Sequence, residues 1–247
     1  MTKGGRGYLD LLAFHTHAGH KPRMTVRVKI CGINSIEAAN AAVASRADFG
    51  GLVFFPPSPR HLGFDQARHL AGILRGRVQL VSLLVNPDDA LLGQIMREVT
   101  PDLIQLHGEE PPARVAEIAQ LGRRPVMKAL AVTTPDDVRR AYAYREVADW
   151  LLFDSRPGPA VERPGGVGLA FDWRLLSGIR IDRPWGIAGG LTPQNVGRAI
   201  AIAAPGFVDA STGVEDAPGH KNREKIAAFI SAARGAVIAP ETTGNPP

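Results

Sequence analysis

The chain has 247 residues, 45% of them hydrophobic and 21% charged, with a formal net charge of +5 and a pI near 9.7. Those proportions exclude wholesale disorder, no apolar run approaches the roughly 20 residues of a membrane helix, and a single cysteine excludes a disulfide framework or Cys-rich zinc site within the chain. The positive surplus is scattered rather than run together, so no nucleic-acid partner is expected, and the composition reads as that of a cytoplasmic domain.

Residues 1–23 differ from the rest. Lys3, Gly4, Gly5, Arg6 and Gly7 lead into a short apolar patch, followed by His15, His17 and His20. The patch is too short for a secretory segment and the histidines lack the further ligands of a metal site, so 1–23 is expected to be a disordered extension ahead of Met24. From Val26 onward, short apolar, β-branched runs alternate with amphipathic helical stretches. Strands are expected at 26–31, 49–54, 78–84, 103–106, 126–130, 150–153, 185–188 and 207–210. Helices are expected at 35–45, 64–74, 88–97, 113–121, 135–144, 171–176, 193–203 and 222–234, with Thr134-Pro135 and Thr192-Pro193 each placing proline at a first helical position. That alternation predicts one α/β domain over 24–236, a single (β/α)8 TIM barrel of eight parallel strands, with a tail at 237–247. An open doubly wound sheet is the competing architecture, but Cys31-Gly32-Ile33-Asn34 after the first strand is not a dinucleotide fingerprint.

A barrel of this kind keeps its active site at the carboxyl ends of the strands. The polar residues closing the apolar runs are then Lys29 and Cys31, the 56–60 loop with Arg60, Asn86, Gln105 and His107, Lys128, Asp154, Gly189-Gly190, and Asp209 with Ser211-Thr212-Gly213. They form no metal constellation and no Ser-His-Asp arrangement. Gly189-Gly190 and Ser211-Thr212-Gly213 follow strands seven and eight, where such barrels bind phosphate through backbone N–H groups and hydroxyls. Lys29 and Cys31 share one face of their strand, and a neighbouring ammonium is expected to favour a thiolate at Cys31. The plain alternative is a buried core cysteine. Asp154 ends the apolar Trp150-Leu151-Leu152-Phe153, where desolvation keeps a carboxyl protonated and able to act as an acid; the alternative is a turn or cap residue.

Seven segments in order resemble phosphoribosylanthranilate isomerase: Val28-Lys29-Ile30-Cys31-Gly32-Ile33, GLVFFPPSPR from Gly51, Ile104-Gln105-Leu106-His107-Gly108, Phe153-Asp154-Ser155, GGVGLAFDW from Gly165, AGGLTPQNV from Ala188 and VDASTGVE from Val208. The resemblance implies a barrel without metal or cofactor that performs an Amadori rearrangement in tryptophan biosynthesis. It implies Cys31 as general base, Asp154 as general acid and Arg60 as partner of the anthranilate carboxylate. It further implies Gly189, Gly190, Ser211, Thr212 and Gly213 as phosphate ligands, with Lys29, Gln105, His107 and Asp209 at the substrate. The expected partner is a phosphorylated small molecule, with no membrane and a monomer or homodimer. Three positions depart from the family pattern: Val167 where threonine is common, Thr212 within a usual Ser-Ser-Gly, and Asn222 where aspartate is common. The histidine-pathway ribonucleotide isomerase resembles a chain with paired aspartates, which Cys31 argues against, and a non-catalytic phosphate binder would have lost Cys31, Arg60 or Asp154.

Overall fold

The apolar runs form eight strands in the computed structural model, which describes residues 26–155 and 171–236. They are β1 (Arg27–Cys31), β2 (Phe49–Phe54), β3 (Gln79–Leu84), β4 (Leu103–Leu106), β5 (Val126–Val132), β6 (Trp150–Ser155), β7 (Trp185–Ile187) and β8 (Phe207–Ala210). All pair in parallel and in sequence order, and β8 closes onto β1 with Lys29 opposite Asp209. Every position of β2, β4 and β8 is buried, as expected of parallel strands covered on both faces. The expected extension at 1–23, the tail at 237–247 and Val167 lie outside the described residues.

The helices are α1 (Ile36–Ala44), α2 (Phe64–Leu74), α3 (Asp89–Glu98), α4 (Pro112–Gly122), α5 (Pro135–Arg139), α6 (Val196–Ala203) and α7 (Arg223–Gly235). Local chemistry fixes their starts: Ser35 accepts from the Ala38 N–H at 3.1 Å, and Thr134 with Asp137 forms a reciprocal capping box. Three expectations need correction. The helix expected over 135–144 tightens after Arg139 into a 3-10 turn, Arg140–Tyr144, from which the Tyr144 hydroxyl donates to the buried Glu110 carbonyl at 3.0 Å. The segment at 171–176 is helical only as a 3-10 turn, Trp173–Leu176. Pro193 is not at a first helical position, because the Asn195 side chain accepts from the Thr192 N–H and donates to the Gly190 carbonyl, both at 2.8 Å, closing a separate turn before α6. A short hairpin, β9 (Glu215–Ala217) and β10 (His220–Lys221), was not expected.

The barrel interior is filled in layers. At the strands' amino ends Phe49, Trp150 and Phe207 meet edge-on or tilted with centroids 5.7 to 6.0 Å apart, and the Arg27 guanidinium sits 4.2 Å over Phe49. Lys29 and Gln105 form part of the next layer, both fully buried. Cys31, Val53 and Leu83 lie above them, where the barrel opens at its carboxyl end.

Candidate active site

The ends of β1, β2, β3, β4, β6, β7 and β8 meet in one cavity enclosing about 680 Å³ with its open mouth. Cys31, Arg60, His107, Asp154, Gly189, Gly190, Asp209, Ser211, Thr212 and Gly213 all line it. Lys29 and Gln105 do not reach its wall: side chains on one strand face repeat every second residue, so Cys31 and His107 occupy the mouth and the earlier pair lies one layer deeper. Lys128 is drawn elsewhere, donating to Glu110 at 2.7 Å and to the Gly108 carbonyl at 2.6 Å. Sequence reasoning missed the apolar wall of Val53, Phe55, Leu83 and Val85, because aliphatic residues at strand ends look like ordinary core.

Beneath the cavity floor, Lys29 Nζ donates to Asp209 Oδ2 at 2.8 Å, and its charge also acts on Cys31. Burial pushes the Lys29 ammonium down, but Asp209 and Cys31 outweigh it and the net shift is upward. For Cys31 the balance runs against the expected thiolate. Burial pushes the thiol up most and Asp209 adds to the rise, and together they outweigh the pull of Lys29 and Lys221 downward. Burial likewise raises Asp209 despite Lys29, and its buried Oδ1 has no hydrogen-bond partner among the described residues.

On the other strands, His107 Nε2 stands 3.2 Å from Asp154 Oδ2, and Gln105 Nε2 lies 3.4 Å from His107 Nδ1. Asp154 Oδ1 accepts from the Ser155 N–H at 2.7 Å. Gln105 thus braces the imidazole that touches Asp154.

The Arg60 side chain packs over Gly32, where φ is +74° and an added Cβ would lie 2.4 Å from Arg60 Cδ. Only glycine satisfies both constraints. The Arg60 guanidinium donates Nε and Nη2 to Glu215 at 2.7 and 2.6 Å and Nη2 to Thr212 Oγ1 at 3.2 Å, leaving Nη1 without a partner among the described residues. Glu215 also accepts from Lys221 Nζ at 2.6 Å. Burial pushes the Glu215 carboxyl up, but the hydrogen bonds and charges of Arg60 and Lys221 prevail and the net shift is downward. Burial drives the Lys221 ammonium down to about 8, against the pull of Glu215. The backbone N–H groups of Gly189 and Gly190 donate to no acceptor among the described residues, which suits an anion cradle beside Ser211, Thr212 and Gly213.

Comparison with known proteins gives one answer. Residues 28–232 match the family described as N-(5'phosphoribosyl)anthranilate (PRA) isomerase. The N-(5'-phosphoribosyl)anthranilate isomerase of Rhodopseudomonas palustris strain HaA2 is 49% identical over 211 residues, covering 85% of this chain and 97% of the relative. The Paracoccus denitrificans protein of the same name is 49% identical over 215 residues, covering 87% and 100%. The crystal structure of phosphoribosyl anthranilate isomerase from Thermotoga maritima is similar with a TM-score of 0.77 at 39% identity, covering 85% of this chain and 99% of that one. A further structure of a phosphoribosyl anthranilate isomerase, in complex with reduced 1-(o-carboxyphenylamino)-1-deoxyribulose 5-phosphate, gives a TM-score of 0.72 at 36% identity, covering 85% and 99%. By sequence, barrel and matched length alike, this chain belongs to the N-(5'-phosphoribosyl)anthranilate isomerase family.

Proposed function

We propose that this isomerase catalyses the Amadori rearrangement of N-(5-phosphoribosyl)anthranilate to 1-(2-carboxyphenylamino)-1-deoxyribulose 5-phosphate, with Asp154 as general acid and Cys31 as general base. The observation that carries this reading is the convergence of Cys31 and Asp154 on one cavity with Arg60 and both glycine-bearing loops. Arg60 Nη1 is the donor for the anthranilate carboxylate, the Val53, Phe55, Leu83 and Val85 wall takes the ring, and Gly189-Gly190 with Ser211-Thr212-Gly213 takes the phosphate. Gripping both ends holds the ribose carbons between acid and base.

Asp154 protonates the furanose ring oxygen as the C1′–O bond breaks, and the anthranilate nitrogen lone pair forms the C1′=N iminium. Cys31 then takes the C2′ proton, whose C–H electrons become the C1′=C2′ bond of an enolamine. Return of a proton to C1′ and loss of the C2′ hydroxyl proton give the ketone, so atoms balance with no outside reactant. His107, held by Gln105, keeps the Asp154 carboxyl aimed. No metal or cofactor enters this scheme, and a phosphorylated substrate that does not cross membranes supports a cytoplasmic location.

Following the fluorescence of phosphoribosylanthranilate as purified protein consumes it tests the reading. Cys31→Ser is expected to lower kcat at least about a hundredfold, the usual scale for losing a general base, and Asp154→Asn at least as much. Near wild-type kcat in both variants would refute the division of labour.

A further inference from the structure

Glu215 lies outside the cavity wall, yet it is tied directly to Arg60 in that wall and, through Lys221, to Ser211. Its side chain is 1% exposed and accepts from Arg60 Nε and Nη2 at 2.7 and 2.6 Å, from Lys221 Nζ at 2.6 Å and from the Gly219 N–H at 3.3 Å. Lys221, with its side chain fully buried, passes the connection on, donating to the Ser211 carbonyl at 3.1 Å and to Ser211 Oγ at 3.2 Å. Glu215 and Lys221 face each other across the β9–β10 hairpin. The tip of that hairpin is pinned: Gly219 accepts from Asn34 Nδ2 at 2.8 Å through its carbonyl, and an added Cβ there would lie 2.7 Å from the Pro59 carbonyl oxygen. The hairpin therefore clamps the loops that follow β1, β2 and β8, which carry Asn34, Arg60 and Ser211.

A carboxylate sharing its oxygens among a guanidinium, an ammonium and a backbone N–H fixes all three donors at once. Removing its charge while keeping its shape leaves two buried cations facing an amide and frees both to move. We propose that Glu215 is a positioning residue for the isomerase, locking the Arg60 guanidinium and the Ser211–Thr212 loop into one rigid unit so that carboxylate and phosphate of the substrate are held at a fixed separation. This rests on the reading of Arg60 and the Ser211 loop as the two ends of the substrate site. Glu215 acts through them and touches no reacting atom.

The experiment is a kinetic comparison of wild type, Glu215→Gln, Arg60→Ala, Lys221→Met and the Arg60→Ala/Lys221→Met double variant, with inorganic phosphate and anthranilate as separate inhibitors. Glu215→Gln is expected to raise KM at least about tenfold while kcat falls far less, because both ends bind ground and transition state alike. Lys221→Met weakens inhibition by phosphate. Because Glu215 couples the two ends, the double variant should fall short of the product of the single fold-changes by more than about threefold. A double variant within about twofold of that product shows two independent contacts and overturns the proposal, and it does so even if Glu215→Gln fails to fold. Unchanged KM in a folded Glu215→Gln also overturns it. Absence of turnover in wild type sinks the reaction assigned above instead, and inhibitor binding by calorimetry across the same variants then reads the coupling.

Discussion

Cys31 sits where opposed charges act on one sulfur. Burial raises the thiol most, Lys29 and Lys221 lower it, and Asp209 raises it further. A base that rests as a thiol works through its thiolate fraction, so kcat/KM of the free enzyme should climb with pH until the thiol ionises. Substitutions on either side of Cys31 should move that limb in opposite directions. Asp209→Asn removes a negative charge, stabilises thiolate and shifts the limb to lower pH. Lys29→Met removes the nearest positive charge and shifts it to higher pH. In that variant Asp209 takes up a proton rather than remain a buried lone charge, which offsets part of the shift, but Lys29 is the larger influence on the sulfur. Because Cys31 is the only cysteine, the pH dependence of its alkylation reads the thiol directly, alongside kcat/KM. Shifts of the same sign in both variants would remove the electrostatic account of the base.

Among the elements, the phosphate loops depend on a close approach of two chain segments. A Cβ on Gly213 would lie 1.8 Å from the Leu191 carbonyl oxygen and 2.8 Å from its carbon, both backbone atoms in the turn before α6. That turn is held by Asn195 and cannot yield cheaply. Gly213→Ala is therefore expected to push the two loops apart, raising KM at least tenfold, about 1.4 kcal/mol, with the barrel still folded by circular dichroism. A KM within twofold of wild type would show that neither loop holds phosphate. The same loops show what the sequence could and could not reveal. The strands were legible to within a residue or two, because each is a short apolar run between turn residues, and the position of the glycines followed from strand order. The start of α6 is not legible, since Thr192-Pro193 looks like a helix start and the turn is set apart only by two side-chain bonds of Asn195, from the Thr192 N–H and to the Gly190 carbonyl. The polar residues at the strand ends were legible as a set, whereas the depth of Lys29 and Gln105 was not, because spacing gives the face but not the layer. Glu215 was present in a quoted motif, but its meeting with Arg60, 155 positions away, exists only in three dimensions.

For the molecule as a whole, the barrel is complete between the first strand and the last helix. β1 begins at Arg27, β8 returns to pair with it, and α7, ending at Gly235, packs against α1 and β1. The family match spans 28–232, and relatives covered over 97 to 100% of their own length match only 85 to 87% of this chain. Residues 1–23 lie outside that match. They do carry charge: Lys3, Arg6, Lys21 and Arg23 against Asp10 give the segment +3 of the chain's net +5. A protein starting at Met24 is expected to keep kcat within about twofold, because every described residue lining the cavity is retained. If the basic segment helps draw in an anionic substrate, its removal lowers kcat/KM at low ionic strength alone, and the difference fades near 0.15 M salt as the Debye length falls to about 8 Å. Steady-state kinetics of the two proteins at both ionic strengths separates these effects. A folded 24–247 protein that has lost tenfold or more in kcat at the higher salt would mean that the amino-terminal segment takes part in the chemistry itself.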